Sequence, residues 1–191
     1  MIIGTAFIMT ALMMAGFNVF KEQSSNLAVV KAQESVSTFI DKEPIQSSTG
    51  VMNALTSAAI PMPVLAVDGA EYIGLLTFES LGLTVPIQSG WDYQKLEKAP
   101  CLYYGSAYSN NLVVAAHNYQ MHFGQLNQLT LNDRVSFVDV DGNEFIYNVK
   151  EVEILKDTAV SEMTSGEWDL TLFTCTTSGE ARVTIRCELA A

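Results

Sequence analysis

Residues 2–20, IIGTAFIMTALMMAGFNVF, carry no charged side chain, and the polar pattern changes sharply after them. As a helix this run spans roughly 28 Å at about 1.5 Å per residue, close to a bilayer's hydrocarbon thickness, which predicts a transmembrane anchor over 1–20. A cleaved secretory signal is the competing reading. Nothing basic precedes the run, however, and no small-x-small site with a mature start follows it. Lys21, Lys31 and Lys42 all follow the apolar run, the reverse of the usual cytoplasmic bias. A start upstream of Met1 with a basic leader would restore an extracellular orientation. Residues 22–40 mix apolar and polar positions at helical spacing and predict a juxtamembrane helix. Residues 41–69, punctuated by Ser, Gly, Pro and Ala, read as a linker, so 21–69 joins the anchor to the domain at 70–191.

From Glu71 the period changes to that of strands. YIGLLTF (72–78) and LTVPI (83–87) are short β-rich runs parted by a turn, and NLVVAA (111–116) is a continuous apolar run suited to a strand buried on both faces. RVSFVDV (134–140) and EFIYNVKEVEIL (144–155) flank Asp141-Gly142-Asn143, a strong hairpin signal. DLTLFTC (169–175) and ARVTIRCEL (181–189) complete the set, and one short helical segment is expected near Gly124–Leu129. Many short strands with few helices predict an all-β domain with short helices, a closed antiparallel β-barrel of about eight strands.

Composition narrows the partners. With 21 acidic against 10 basic residues the net charge is −11, and no basic stripe exists, which excludes nucleic acid. Cys101, Cys175 and Cys187 are too few and scattered for a disulfide framework, and no CxxC or paired-His spacing suggests zinc. Whether Cys101 and Cys187 pair depends on the barrel bringing their Cα atoms to about 4.4–6.8 Å. Glu162, Glu167 and Asp169 lack the spacing of a calcium loop and read as solvated. No metal or cofactor is expected.

Cys175 ends an apolar strand and is followed by Thr176-Thr177-Ser178-Gly179, which puts a thiol at a barrel rim beside polar loop residues. The plain alternative is a small buried hydrophobe. His117 likewise ends a buried strand, whereas His122, the only other histidine, sits in a less constrained loop. A hydrogen-bonded rim histidine would explain His117 alone. The pair suggests more, because a thiol needs a proton acceptor or nearby positive charge to become a nucleophile. Arg182 opens the next strand, so the hairpin returns its guanidinium toward the thiol, where it can donate to a developing oxyanion. Arg186 shares that face but lies about 13 Å further along at roughly 3.3 Å per residue, and reads as a surface cation. With ordinary pKa values near 8.5 and 6.5, the thiolate–imidazolium pair is only about one per cent of the neutral pair. Arg182 is the local compensation.

TLFTC (171–175) followed seven residues later by Arg182 resembles the TLxTC…R signature of sortases, and VVAAHN (113–118) resembles the strand that delivers the sortase histidine. YIGLLTF…LGLTVPI (72–87) and DRVSFVDVDGNEFIYNVKEV (133–152) are similar to the family's first strands and mid-barrel hairpin, so the resemblance covers about 70–189. It implies a sortase-like barrel and a cysteine transpeptidase that cleaves an LPxTG-like motif, holds the acyl chain as a thioester, and passes it to a cell-wall amine. It assigns Cys175 as nucleophile, His117 as the acid for the leaving amine, and Arg182 as the carbonyl or oxyanion donor. Thr174 is expected to border the substrate groove, and the Thr176 N–H to serve as a second donor. The implied partners are surface proteins with a C-terminal sorting motif, the amine of a peptidoglycan precursor, and the membrane. The implied place is the cell membrane, single-pass, with the domain outside. Departures are Ala116 where many members have Gly, a short Cys175–Arg182 loop, and no Asp-Pro-aromatic lid motif in 41–69. The last points to wall anchoring and away from pilus assembly; the subclass stays open. A hydrolase sharing the acyl-enzyme, and a membrane-anchored binding barrel with an inert Cys175, are the alternatives.

Overall fold

The computed structural model describes residues 2–42 and 61–190, with the side chains of the first helix described from Ile8 onward. Most of the expected linker, residues 43–60, lies outside the described residues.

The apolar run and the expected juxtamembrane helix form one element, α1 (Ile2–Lys42). Nothing between Phe20 and Glu22 breaks a helix, and the spacing of Ser25, Val29, Ala32 and Val36 keeps one stripe facing the barrel, where all four are buried. Ile8, Met13, Phe17 and Phe20 on the same helix are exposed. Among the described residues no helix is long and apolar enough to cross a membrane. The expected anchor covers 1–20, and the side chains of residues 1–7 lie outside those described.

Eight strands close a barrel: β2 (Ala70–Phe78), β3 (Leu83–Gln88), β4 (Cys101–Tyr104), β5 (Leu112–Ala116), β6 (Arg134–Asp139), β7 (Glu144–Lys156), β8 (Leu170–Cys175) and β9 (Ala181–Leu189). A short β1 (Leu65–Val67) extends the edge beside β2. Neighbours run β2-β3-β4-β5-β8-β9-β7-β6, and β6 pairs back onto β2. The barrel is not wholly antiparallel as expected, because β3–β4 and β5–β8 are parallel. The β6–β7 hairpin lies between β5 and β8 in sequence, so β8 returns in the direction of β5. Every residue of β5 is buried, as a strand packed on both faces requires. Besides the foreseen turn at 126–128, the structure has α2 (Tyr93–Leu96), α3 (Val160–Thr164) and further short 3-10 turns at 79–81 and 107–109. Strand β4 and both short helices were not foreseen, being too brief to show a period. The core is built by inward positions such as Leu76, Phe78, Val85, Phe137, Leu172 and Ile185, all fully buried. Each contributes about 1.5–3 kcal/mol by leaving water.

Two expectations about single residues are overturned. Arg186 is not a surface cation; it is 3% exposed. Its Nε donates to Glu153 Oε1 at 2.8 Å, Nη1 to Thr171 Oγ1 at 3.0 Å, and Nη2 to the Glu162 carbonyl at 2.7 Å. The β7–β8 connection with α3 folds over that face of β9, and the guanidinium's fixed fork satisfies a strand, a helix and a carboxylate at once. Asp169 is not merely solvated either, since it accepts from the Leu189 N–H at 2.7 Å. Arg186→Met is expected to destabilise the fold by about 2–4 kcal/mol, because Glu153 and the α3 carbonyl lose their donor. Urea unfolding measures the loss, and limited proteolysis should show the first new cuts within 157–169.

All three thiols are free, with Cys101 and Cys187 buried, and burial pushes each of these two up to about 12. They are inert packing residues.

Candidate active site

Strand register assembles the site. β5 and β8 run parallel with Ala116 beside Thr174, so His117, one residue on, comes level with Cys175. β8 and β9 run antiparallel with Cys175 beside Arg182. The three expected residues therefore stand in a row across three adjacent strands at one barrel end. All three line a single cleft of about 290 Å³.

The thiol of Cys175 and the ring of His117 are both half-buried, and among the described residues neither has a hydrogen-bond partner. Arg182 spends Nη1 on the carbonyls of Gly179 and Ala181, each at 3.1 Å, which anchors the guanidinium to its own hairpin. Its Nε and Nη2 have no acceptor among the described residues, so donors remain for a carbonyl in the cleft. Thr174 is buried and its hydroxyl donates to the Ala116 carbonyl at 2.9 Å, tying the end of β8 to the residue before His117. It also lines both this cleft and a smaller polar one of about 80 Å³ on the other side of Cys175. The Thr176 N–H, expected as a second donor, donates to the Ala181 carbonyl at 2.9 Å and closes the β8–β9 hairpin. A residue directly after a strand end is the natural donor for the first turn bond, and that competes with any oxyanion role.

The cleft has an aromatic wall that sequence reasoning missed. Phe173 meets the edge of Tyr103 at a 5.1 Å centroid distance, Tyr103 lies 5.3 Å from Trp91, and Trp91 lies 5.6 Å from Tyr93. Tyr93 is 76% exposed. Exposed aromatics in the Ser89–Tyr93 loop were the available signal. α3 contributes Val160 and Met163 to the opposite side. The wall is apolar, while the polar groups of the cleft are Cys175, His117, Arg182, Thr174 and Asp157.

His117 begins a compact turn. Its carbonyl accepts from the Phe123 N–H at 3.1 Å, and its ring lies on Tyr119 at 4.8 Å, with Tyr119 meeting His122 at 5.3 Å. Gly124 packs so closely that a Cβ would fall 2.6 Å from the Asn118 carbonyl oxygen. His122, expected in a loose loop, is fully buried. Its Nε2 lies 2.9 Å from Ser25 Oγ, and Ser25 Oγ donates to the Glu97 carbonyl at 2.5 Å. A hydroxyl has one proton, so Ser25 accepts from His122, which fixes the Nε2–H tautomer. Nδ1 has no partner among the described residues. Burial and the neighbouring His117 hold His122 down to about 3, so it is neutral.

Burial also lowers the His117 pKa; Lys21 lowers it further and Glu97 opposes. Lys21 and Glu97 are themselves paired at 2.5 Å. A histidine below its ordinary value is mostly neutral at neutral pH, so an acid step draws on a minor protonated form. Lys21→Met is therefore expected to move the acid limb of a pH–rate profile to higher pH, and Glu97→Gln to lower pH. Among the described residues no three His, Cys, Asp or Glu side chains converge as a metal site.

The family model for the Sortase domain matches residues 76–190. No curated protein matches the chain. Among solved structures, the Clostridium perfringens sortase D5 transpeptidase is 20% identical at a TM-score of 0.56, covering 63% of this chain and 79% of that one. Sortase A from Corynebacterium diphtheriae is 18% identical at a TM-score of 0.58, over 64% of this chain and 62% of that one. Clostridium perfringens sortase C, solved with the C-terminal cell wall sorting motif, is 21% identical at 0.56, over 63% and 71%.

Proposed function

This chain belongs to the sortase family, and we propose that it is a cysteine transpeptidase cleaving an LPxTG-like sorting motif and joining the acyl part to a cell-wall amine. The observation that carries the proposal is the shared cleft of Cys175, His117 and Arg182, one from each of three paired strands.

The steps follow from what each group can do. The substrate's acyl segment lies along the aromatic wall with its scissile carbonyl at Cys175. The thiolate attacks that carbon, and the free N–H groups of Arg182 donate to the oxygen as charge builds on it. Protonated His117 gives its proton to the departing amine, the C–N bond breaks, and a thioester remains on Cys175. His117, now neutral, takes a proton from the incoming amine as that amine attacks the thioester. The new amide leaves, and the thiolate and imidazolium are restored. The aromatic wall supports a substrate with apolar residues before the cleaved bond, the pattern of a sorting motif.

The partners in this reading are surface proteins with a C-terminal sorting motif and the amine of a peptidoglycan precursor. The anchor reading rests on the uncharged run 2–20 and on the exposed Ile8, Met13, Phe17 and Phe20. In that reading the protein is single-pass with its catalytic domain outside the cell. Product analysis with LPxTG-like and NPxTN-like peptides, with and without an amine acceptor, tests the function. Amide-linked product is expected; free acid alone, at any amine concentration, would replace transfer by hydrolysis.

A further inference from the structure

The segment of α1 from Lys21 to Ser25 reaches across the chain to the loop that carries His117. Glu22 Oε1 accepts from the Gln120 N–H at 3.1 Å, Ser25 Oγ accepts from His122 Nε2 at 2.9 Å, and Lys21 holds Glu97. We propose that this turn of α1 is a positioning element of the catalytic centre, with Ser25 fixing the His117 loop through the buried ring of His122. The acid role of His117 is the reading given above; the brace itself is read from the contacts.

The polar end of the interface is not needed to dock the helix. Val29, Ala32 and Val36 are buried against the barrel, and Lys31 pairs with Asp68 at 2.8 Å, well away from the site. Burying a hydroxyl and an imidazole costs free energy unless they satisfy each other. Here Ser25 supplies the only hydrogen bond that His122's ring makes among the described residues. His122 is 0% exposed and Ser25 4%, so neither ring nor hydroxyl can turn to water as a substitute. From His122 the path to His117 is short: the His122 ring meets Tyr119, Tyr119 lies on His117, and the loop closes on itself by Phe123 N–H to the His117 carbonyl. Gly124 leaves that loop no slack. A domain cut off from α1 would keep its nucleophile and lose the support of its acid.

The charged and titratable groups around His117 are Lys21 on α1, Glu97 after α2, Tyr119 and His122 on its own loop, and Cys175, Arg182 and Asp157 around the cleft. Removing the Ser25 hydroxyl changes none of these charges, so a change in His117 titration would report a change in its placement.

The chain has only two histidines, so each ring's Cε1–H signal can be followed through a pH titration of the full chain by NMR. In Ser25→Ala the His117 midpoint is expected to rise toward its ordinary value as the ring becomes more hydrated. With the full chain as enzyme, kcat should fall about 10- to 100-fold while KM for the peptide stays unchanged. Ser25→Thr keeps the hydroxyl and should restore both readings, and Lys31→Gln, on the same helix, should change neither. An unchanged KM for the peptide in all variants shows the cleft intact. If Ser25→Ala does not fold, Glu22→Ala, which releases the Gln120 N–H, carries the kcat reading. A native His117 midpoint with native kcat in Ser25→Ala, or equal losses in Ser25→Ala and Ser25→Thr, would overturn the proposal. A wild-type chain inactive on every peptide would sink the transpeptidase reading, while the NMR comparison would still decide on the brace.

Discussion

Cys175→Ala is expected to reduce peptide cleavage by at least about 10⁴-fold, with peptide binding and the unfolding midpoint nearly unchanged. The thiol makes no hydrogen bond among the described residues and is only half-buried, so its removal costs little packing. In the proposed mechanism what is lost is the nucleophile, and neither of the other two thiols lines the cleft. Cys101 is buried in β4 and Cys187 in β9, both pushed up to about 12 by burial. Cys101→Ala and Cys187→Ala should show the converse, reduced stability with native chemistry. Iodoacetamide at neutral pH should label the folded chain once, at Cys175. Steady-state kinetics on the three variants separates these outcomes, and a Cys175→Ala enzyme that still cleaved would remove the thiol from the mechanism.

The second large effect is on stability in acid. His122 has an ordinary value of 6.5 when the chain is unfolded and is held at about 3 in the fold. As pH falls below 6.5, the unfolded chain takes up a proton that the folded chain refuses, so stability is lost progressively toward pH 3. At about 1.4 kcal/mol per unit, the loss from this one group reaches about 3 kcal/mol by pH 4. His122→Gln keeps an N–H for Ser25 and removes the titration. Urea unfolding of both proteins at pH 7 and pH 4 should show the wild type losing about 3 kcal/mol more than the variant over that interval. The carboxylates titrate alike in both and cancel. Equal losses would mean that His122 accepts a proton without leaving its pocket.

Much of this was legible in the chain because strand ends fix where side chains emerge. The continuous run before His117, the strand before Cys175 and the short hairpin to Arg182 each place a reactive group at a rim, and hairpin geometry needs no tertiary information. What was not legible depended on contacts between distant segments. Arg186 has the same alternation as Arg182, and only the fold of 157–169 over β9 shows that one guanidinium is buried while the other stays at the cleft. His122 looked like a loop residue because nothing local reveals Ser25, 97 positions earlier, as its partner. The bond from the Thr176 N–H to the Ala181 carbonyl was hidden as well, because it depends on the register of the β8–β9 hairpin. The parallel β5–β8 pair was hidden too, since the hairpin signals between them suggested an antiparallel barrel throughout.

Cys175 is expected to become acylated by a sorting peptide. Intact-mass spectrometry of the full chain, mixed with LPxTG-like peptides and quenched in acid, tests it directly. A mass increase equal to the peptide's N-terminal acyl fragment, mapped to Cys175 by peptic digestion and released by hydroxylamine, is the predicted result. No adduct with any such peptide from a folded chain, or an adduct on another residue, would contradict it.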